Sequence, residues 1–580
     1  MKVSEFILDF ISAEGVRVIF GVTGGFITPM FDAFHGRSDI HYVCTQHEQA
    51  TAMAADSYSR FSGLGVAVAT SGPGSTNLIT GIGCSWFDSI PVLCITGNVP
   101  TGEQKGNSGV RQRGFQETDI VSIVRPITKY ACQVNNPADI QYELEKAVWN
   151  AKNGRPGPVL LDIPMDVQQA EIDPDALLHF LPERIFDIDI KQQVDETVEL
   201  IAKSKRPVVI YGQGCRHARD ELLKFIEMTG IPCLPSWAAL DLIPHNHPLF
   251  VSQFGVYGCR AGNLTVQNAD LIIAIGTRLD TRMTGGKWQT FASNAVKVVC
   301  DIDFHEATKA VKADVLVIAD AGEFLRKLNE EGFNSTAQPF SRSSWQERIV
   351  KWKQKYPIVT TEPDNSIHEP IQPLNFIRQL CGLLPDDAIV IADSGGNLSW
   401  TQQAFKVRGS QRLFSDYGFS SMGYALPAAI GASAATEKPV VCIIGDGGMQ
   451  MNIQELQTLA HYRLPVKVFI LNNHSYGIIK QFQEELFEGR YEATDDNGGY
   501  SAPDFQRLAE AYGIPSFHVL YQSCVGWMTA IALNMAGPTI VDVEIDPAAR
   551  IFPKVQFGNP LENQSPMLPP AEVAENMRNE

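Results

Sequence analysis

Two short segments, Gly445-Asp446-Gly447 and Asn472-Asn473, carry residue types that can hold a divalent cation against a phosphate. One carboxylate (Asp446) and one amide oxygen (Asn473) make an oxygen-only donor pair. Such donors suit Mg²⁺, which completes its octahedron with water and phosphate oxygens. Gly445, Gly447 and Gly448 let phosphate approach the backbone, and a helix starting there aims its amides at the anion. The plain alternative is a turn at the glycines and a strand cap at the asparagines. Their joint placement favours a ligand site. VVCIIGDGG and VKVFILNN each end a β-branched run, and residues 448–471 suffice for one crossover helix. Asp446 and Asn473 then emerge at the carboxyl ends of neighbouring parallel strands, where open α/β sheets bind ligands.

Such motifs need strands that end together and helices that cross over, and the chain repeats that grammar throughout. VRVIFGVTGG, GVAVATSGPGS, PVLCITGNVP and PVLLDIPMD open it. RPVVIYGQG, ADLIIAIGT and VKVVCDID restart it, and AIVIADSG, VVCIIGDGG and VKVFILNN restart it again. Short, nearly continuous apolar runs bounded by Gly or Pro indicate parallel strands covered on both faces. We expect three doubly wound α/β domains at residues 1–175, 190–335 and 370–550, with a Pro-rich tail at 551–580. Polar stretches at 182–205 and 331–373 read as connectors.

Composition narrows the function classes. With 44% hydrophobic and 19% charged residues over 580 positions, the chain can bury several cores, which excludes disorder and coiled coil. The net charge is −18 and no Lys/Arg run exceeds a pair, so nucleic-acid binding is not expected. The 11 cysteines are odd in number, form no C-x-x-C and lie mostly in apolar runs, as reduced buried thiols do. Uncharged stretches at 62–87 and 417–436 are broken by SGPGS and ALPAA, so neither is a clean membrane span. The N-terminal MKVSEFILDFISAEG places Glu5 and Asp9 in an amphipathic pattern unlike a secretory leader, and a cytoplasmic protein is expected.

The paired GDG and NN resemble the diphosphate–metal motif of thiamine-diphosphate enzymes. That resemblance implies a carboxylate beside the aminopyrimidine of the cofactor, in a dry pocket. Glu48 in TQHEQATAMAADSYSR is the candidate; taken alone, an acid in a helix's first turn serves the helix dipole. The likeness then narrows. VIFGVTGGFITPMFDAF, TSGPGSTNLITGIGCSWFDSIPVLCITGNVP, GFQETDIVSIVRPITK and NGRPGPVLLDIPMDV are similar to the first domain of acetolactate (acetohydroxyacid) synthases. IAIGTRLDTRMTG and VVCDID resemble their central domain, which holds FAD in that family. SSMGYALPAAIGA, GDGGMQMNIQELQT and LPVKVFILNN resemble their diphosphate domain, and NQSPMLPPAEVAENM their tail.

The resemblance implies a role for each matching residue. Glu48 activates the cofactor, while Phe115 and Gln116 face substrate from a partner subunit. Met422 buttresses the bent cofactor, and Asp446, Asn473 and the carbonyl of Ser475 ligate Mg²⁺. Gly24, Gly25, Gly445, Gly447, Gly448, Met449, Tyr476, Gly477 and Ile478 contact thiamine diphosphate. Arg155, Arg278, Asp301 and Asp320 fall where the family touches FAD. Each has a plain alternative, such as core filler for Met422, an ion pair for Arg155 and a strand-end cap for Asp320.

The chain also departs from the family pattern. Met165 replaces a lysine at the substrate entrance, and Gln481-Phe482 replaces Gln-Trp. Gly255-Val256-Tyr257-Gly258 stands for GMHG, and Asp280-Thr281-Arg282 for DDR. These changes surround the acceptor side. The leading expectation is a carboligase that takes a two-carbon unit from a 2-oxo acid such as pyruvate to a second carbonyl. The acceptor is pyruvate or a bulkier ketone or keto sugar. Simple decarboxylation, a flavin-linked oxidase and a non-catalytic cofactor-binding regulator are the alternatives. A homodimer or homotetramer is implied, and a regulatory subunit is left open.

Overall fold

Strand burial shows why the sheets are parallel and interior. In the first sheet β1 (Val18–Gly21), β3 (Gly65–Ala69), β4 (Val92–Asn98) and β6 (Val159–Pro164) are buried along their whole length, with β2 (His41–Cys44) and β5 (Tyr130–Gln133) at the edges. Nothing polar is needed where helices cover both faces. All pairings are parallel, in the order β2-β1-β3-β4-β6-β5.

The second sheet comprises β7 (Pro207–Tyr211), β8 (Cys233–Pro235), β9 (Leu271–Ile275), β10 (Val296–Asp301) and β11 (Val315–Ile318), ordered β11-β10-β9-β7-β8. The third comprises β12 (Ile389–Ala392), β13 (Arg412–Phe414), β14 (Val440–Gly445), β15 (Val466–Asn472), β16 (Ser516–Val519) and β17 (Thr539–Glu544). Its order, β13-β12-β14-β15-β17-β16, repeats that of the first sheet strand for strand. In each sheet the strand order reverses between β1 and β3, β7 and β9, or β12 and β14. Each reversal opens a crevice at the strand carboxyl ends. The computed structural model describes residues 1–182, 189–331, 343–359 and 369–578.

The two polar stretches read as connectors are more than that. Parts of both (183–188, 332–342 and 360–368) lie outside the described residues, but each stretch contains a helix. Lys191–Lys203 buries Val194, Thr197 and Ile201 against the central unit. Helix Ser343–Lys355 inserts Trp345 and Trp352 into a core shared with Val208, Ile272 and Val299. Trp345, Ile349 and Trp352 recur at helical spacing, but the Lys, Arg, Glu and Gln residues around them hide that stripe in a polar stretch. The tail packs on the same face: Trp352 Nε1 donates to Asn576 Oδ1 (2.9 Å), and Val555 and Leu561 enter that core.

The first and third units meet through helices Glu48–Ser62 and Ala425–Thr436. Small residues permit the approach: a Cβ on Gly431 would stand 2.0 Å from the carbonyl oxygen of Ala54. Glu455 ties the same joint, accepting the N–H groups of Gln46 and His47 at 3.0 and 3.1 Å. Among the described residues no helix is long and apolar enough to cross a membrane. All 11 cysteines are free.

Candidate active site

The crevice between β12, β14 and β15 is a cleft of about 540 Å³ lined by Met422, Gly445, Asp446, Gly447, Gly448, Asn473, Ser475, Tyr476, Gly477 and Ile478. Asp446 opens a short helix, Asp446–Met451, directly at the end of β14. Its Oδ2 is buried with no hydrogen-bond partner. Burial raises its proton affinity to about 6, against a hydrogen bond from Tyr500, the Gly447 N–H and the charge of His474. An unpartnered buried carboxylate oxygen is costly unless a cation or proton meets it. Asn473 and Ser475, both buried, face the cleft from the next strand.

The glycines are required by close approach. A Cβ on Gly447 would stand 2.3 Å from the Tyr476 ring and 3.3 Å from Met422 Cε, and one on Gly477 would stand 2.4 Å from Asn473 Nδ2. Met422 thus overhangs the same glycine that leaves room for a ligand. The side chain of Met449 is fully buried in the core and does not line the cleft. Among the described residues no group of three or more His, Cys, Asp or Glu side chains could hold a metal, so any cation here relies on Asp446, an amide and a carbonyl.

Glu48 is the first residue of its helix, whose N-cap His47 accepts the Gln49 N–H on Nδ1 (3.1 Å). The Ala-rich sequence and the left-handed Gly63 behind it fix the helix length. Glu48 is 8% exposed; Oε2 accepts from Asn77 Nδ2 at 2.9 Å, and Oε1 faces Gly74. Within one chain Glu48 does not line the Asp446 cleft, which is walled only by residues 394–551. Gly24 and Gly25 follow β1 in the first unit, where a Cβ on Gly24 would meet Thr70 at 2.6 Å. Phe115 is 75% exposed, and Gln116 next to it adopts φ 61 against Gly72.

The β7/β9 crevice is a second cavity, about 630 Å³, lined by Arg155, Arg278, Asp301 and Asp320 together with Phe87, Trp237, Phe254 and Tyr417. Gly212 and Gly214 abut Gly276 so closely that a Cβ on Gly212 would stand 2.0 Å from the Gly276 oxygen. The plain roles hold as well. Arg155 pairs with Asp303 (3.1 Å) and Glu306 (2.9 Å), which outweigh burial and hold it charged. Asp320 accepts the Gly322 N–H at 2.8 Å, and its hydrogen bond with His217 lowers its proton affinity despite burial. Burial raises that of Asp301.

Sequence reasoning missed Asn77, Tyr500, Asp393 and Asp88. Asn77 had a signal in SGPGSTN, which ends the strand beside Glu48; the others are joined by contacts between distant segments. Met165 begins the short helix after β6, and Phe482 lies half-buried under Lys554 Nζ, 4.6 Å from its ring centroid.

The chain matches three segments described as thiamine pyrophosphate enzyme domains. They are the N-terminal TPP binding domain at residues 1–123, the central domain at 194–328 and the C-terminal TPP binding domain at 393–543. It is 37% identical over 569 residues to the acetolactate synthase large subunit of Parasynechococcus marenigrum, covering 95% of this chain and 89% of that protein. A probable acetolactate synthase large subunit of Methanococcus aeolicus is 35% identical, with 95% and 93% covered. The Escherichia coli isozyme 2 large subunit is 33% identical, with 96% and 98% covered. The chain therefore belongs to the thiamine pyrophosphate enzymes and, within them, to the acetolactate synthase large-subunit family of carboligases.

Proposed function

We propose that this protein releases CO₂ from pyruvate and transfers the remaining two-carbon unit to a second carbonyl, with thiamine diphosphate and Mg²⁺ in the Asp446 cleft. The observation that carries this reading is the orphaned Asp446 Oδ2, buried beside Asn473 and Ser475 at the ends of adjacent strands. An oxygen-only set with one carboxylate would suit Mg²⁺ held together with a diphosphate. When bound, thiamine diphosphate supplies the nucleophilic carbon and the electron sink that decarboxylation needs. Asp446, the Asn473 side chain and the Ser475 carbonyl hold the cation, and Met422 overhangs the cleft to set the cofactor's bend. Glu48, with Oε2 fixed by Asn77, holds the proton exchanged with the pyrimidine ring. Glu48 stands apart from the cleft of its own chain, so the catalytic centre is completed by a second copy. A homodimer is the smallest active unit, with Phe115 and Gln116 entering from the partner.

The second cavity fits FAD: two arginines for phosphates, two carboxylates for hydroxyls, and aromatic walls. Flavin absorbance of the purified protein tests that part. On the acceptor side, Met165 and Phe482 replace a cation and a larger ring. The loss of one filling contact alone changes preference by about 10–200-fold. The acceptor is then larger or less strictly chosen than pyruvate. Mass spectrometry of products from pyruvate with a panel of aldehydes, ketones and keto sugars tests the function. Ligated products with bulky carbonyls support this acceptor, acetolactate alone restores pyruvate as acceptor, and free acetaldehyde alone refutes carboligation. Phe482→Trp with Met165→Lys should shift partitioning towards acetolactate.

A further inference from the structure

The turn that carries Met422 is held by carboxylates to an unusual degree. Between residues 417 and 425, six backbone N–H groups donate to three aspartates. Asp88 accepts from Tyr417 (3.0 Å) and Gly418 (2.7 Å), Asp416 from Phe419 (3.2 Å) and Ser421 (2.9 Å), and Asp393 from Gly423 (2.9 Å) and Ala425 (3.0 Å). In each case both carboxylate oxygens are used, one per N–H. All three side chains are buried or nearly so.

One of the three comes from the first unit, and it is itself fixed. Arg60 NH2 meets Asp88 Oδ2 at 3.0 Å while its Nε meets Asp56 Oδ1 at 2.9 Å. Asp56 is completed by Ser85 Oγ (2.9 Å) and by the OH of Tyr424 (2.5 Å), itself a residue of the turn. Phe87 stacks on Phe419 with ring centroids 5.1 Å apart. Inside the clamp Ser420 sits at φ 62, a left-handed conformation that residues with a side chain seldom adopt, and its Oγ touches Ser394 Oγ at 3.0 Å on the cleft wall. Such a conformation persists only where its surroundings over-determine it.

We propose that Asp416, Asp88 and Asp393 are positioning residues for Met422, a three-carboxylate clamp that fixes the turn so that its methyl overhangs Gly447. The proposal rests on the reading of Met422 as the cofactor's buttress. None of the three carboxylates lines the Asp446 cleft, though Asp88 also borders the second cavity; they act on Met422 through the backbone. A carboxylate can serve two N–H groups at once. An asparagine offers one oxygen and turns its own amide against the second donor, leaving a buried N–H unpaired.

The test is C2 proton exchange of bound thiamine diphosphate, followed by NMR in the full-length protein at saturating cofactor and Mg²⁺, with far-UV circular dichroism to confirm folding. Asp416→Asn should slow exchange roughly tenfold, the scale of one buried unpaired donor. Met422→Ala should slow it too, and the double variant should be no slower than Met422→Ala alone, because both act through one side chain. A wild-type rate in Asp416→Asn, or multiplied losses in the double variant, overturns the clamp while leaving Met422 as buttress. A wild-type rate in Met422→Ala overturns the buttress and the clamp with it. Should Asp416→Asn fold poorly, Ser420→Gly is added, since glycine adopts φ 62 freely. The rate is then compared with Ser420→Gly alone, with the same two outcomes.

Discussion

At Glu48 the helix geometry, the Asn77 bond and the burial converge on one oxygen pair in a dry setting. Glu48→Gln keeps the shape and the Asn77 contact through its amide oxygen but removes the group that exchanges a proton. It should remain folded and still bind thiamine diphosphate, while turnover falls by about 10²–10⁴; steady-state kinetics with a cofactor titration separates the two. Glu455 gives a second residue-scale prediction. Burial raises it to about 7, against hydrogen bonds from Thr458, Gln46 and His47. A carboxyl more basic in the folded than in the unfolded chain binds its proton there preferentially. Its contribution to stability is therefore present at low pH and lost as pH rises from the unfolded value of about 4.5 to about 7. Glu455→Gln keeps acceptors for Gln46 and His47 without ionising. It should flatten the pH dependence of Tm in that window and leave Tm at pH 8 equal to or above wild type; an unchanged slope would contradict the assignment.

At the scale of elements, the joint between helices Glu48–Ser62 and Ala425–Thr436 depends on small residues. Gly431→Val puts a side chain where even a Cβ would stand 2.0 Å from the Ala54 oxygen. Overpacking of this kind costs about 1–3 kcal/mol, so urea unfolding should show that loss and cofactor affinity should fall with it. The strands and their end motifs were legible in the sequence because each is local: a β-branched run, then the glycines and the Asp or Asn. The parallel sheets, the cleft residues from Gly445 to Ile478 and the helix of Glu48 follow from such runs. Helix Ser343–Lys355 reads as a connector in the sequence because its buried stripe is only Trp345, Ile349 and Trp352, set among charged and amide side chains. Nor were Asp88, Asp393 and Tyr500 legible, since their partners lie on segments brought together only by packing. The neighbours of Met449 in sequence line the cleft, while its own side chain turns to the core, a distinction that the sequence does not carry.

Across the whole molecule, two units of identical strand order carry the residues proposed for the catalytic centre, and within one chain Glu48 does not line the Asp446 cleft. Glu48 and the exposed Phe115 belong to the first unit, and Asp446, Asn473 and Ser475, the proposed cation donors, to the third. A two-fold dimer would pair each first unit with the partner's third. Mixing inactive Glu48→Gln with inactive Asp446→Ala chains tests this most directly. In a randomly reassorted dimer population half the dimers carry one copy of each variant, and each such dimer keeps one of its two sites intact. The mixture should regain about a quarter of wild-type carboligation from pyruvate, read as product by mass spectrometry. A mixture as inactive as its components, after verified subunit exchange, would contradict the account.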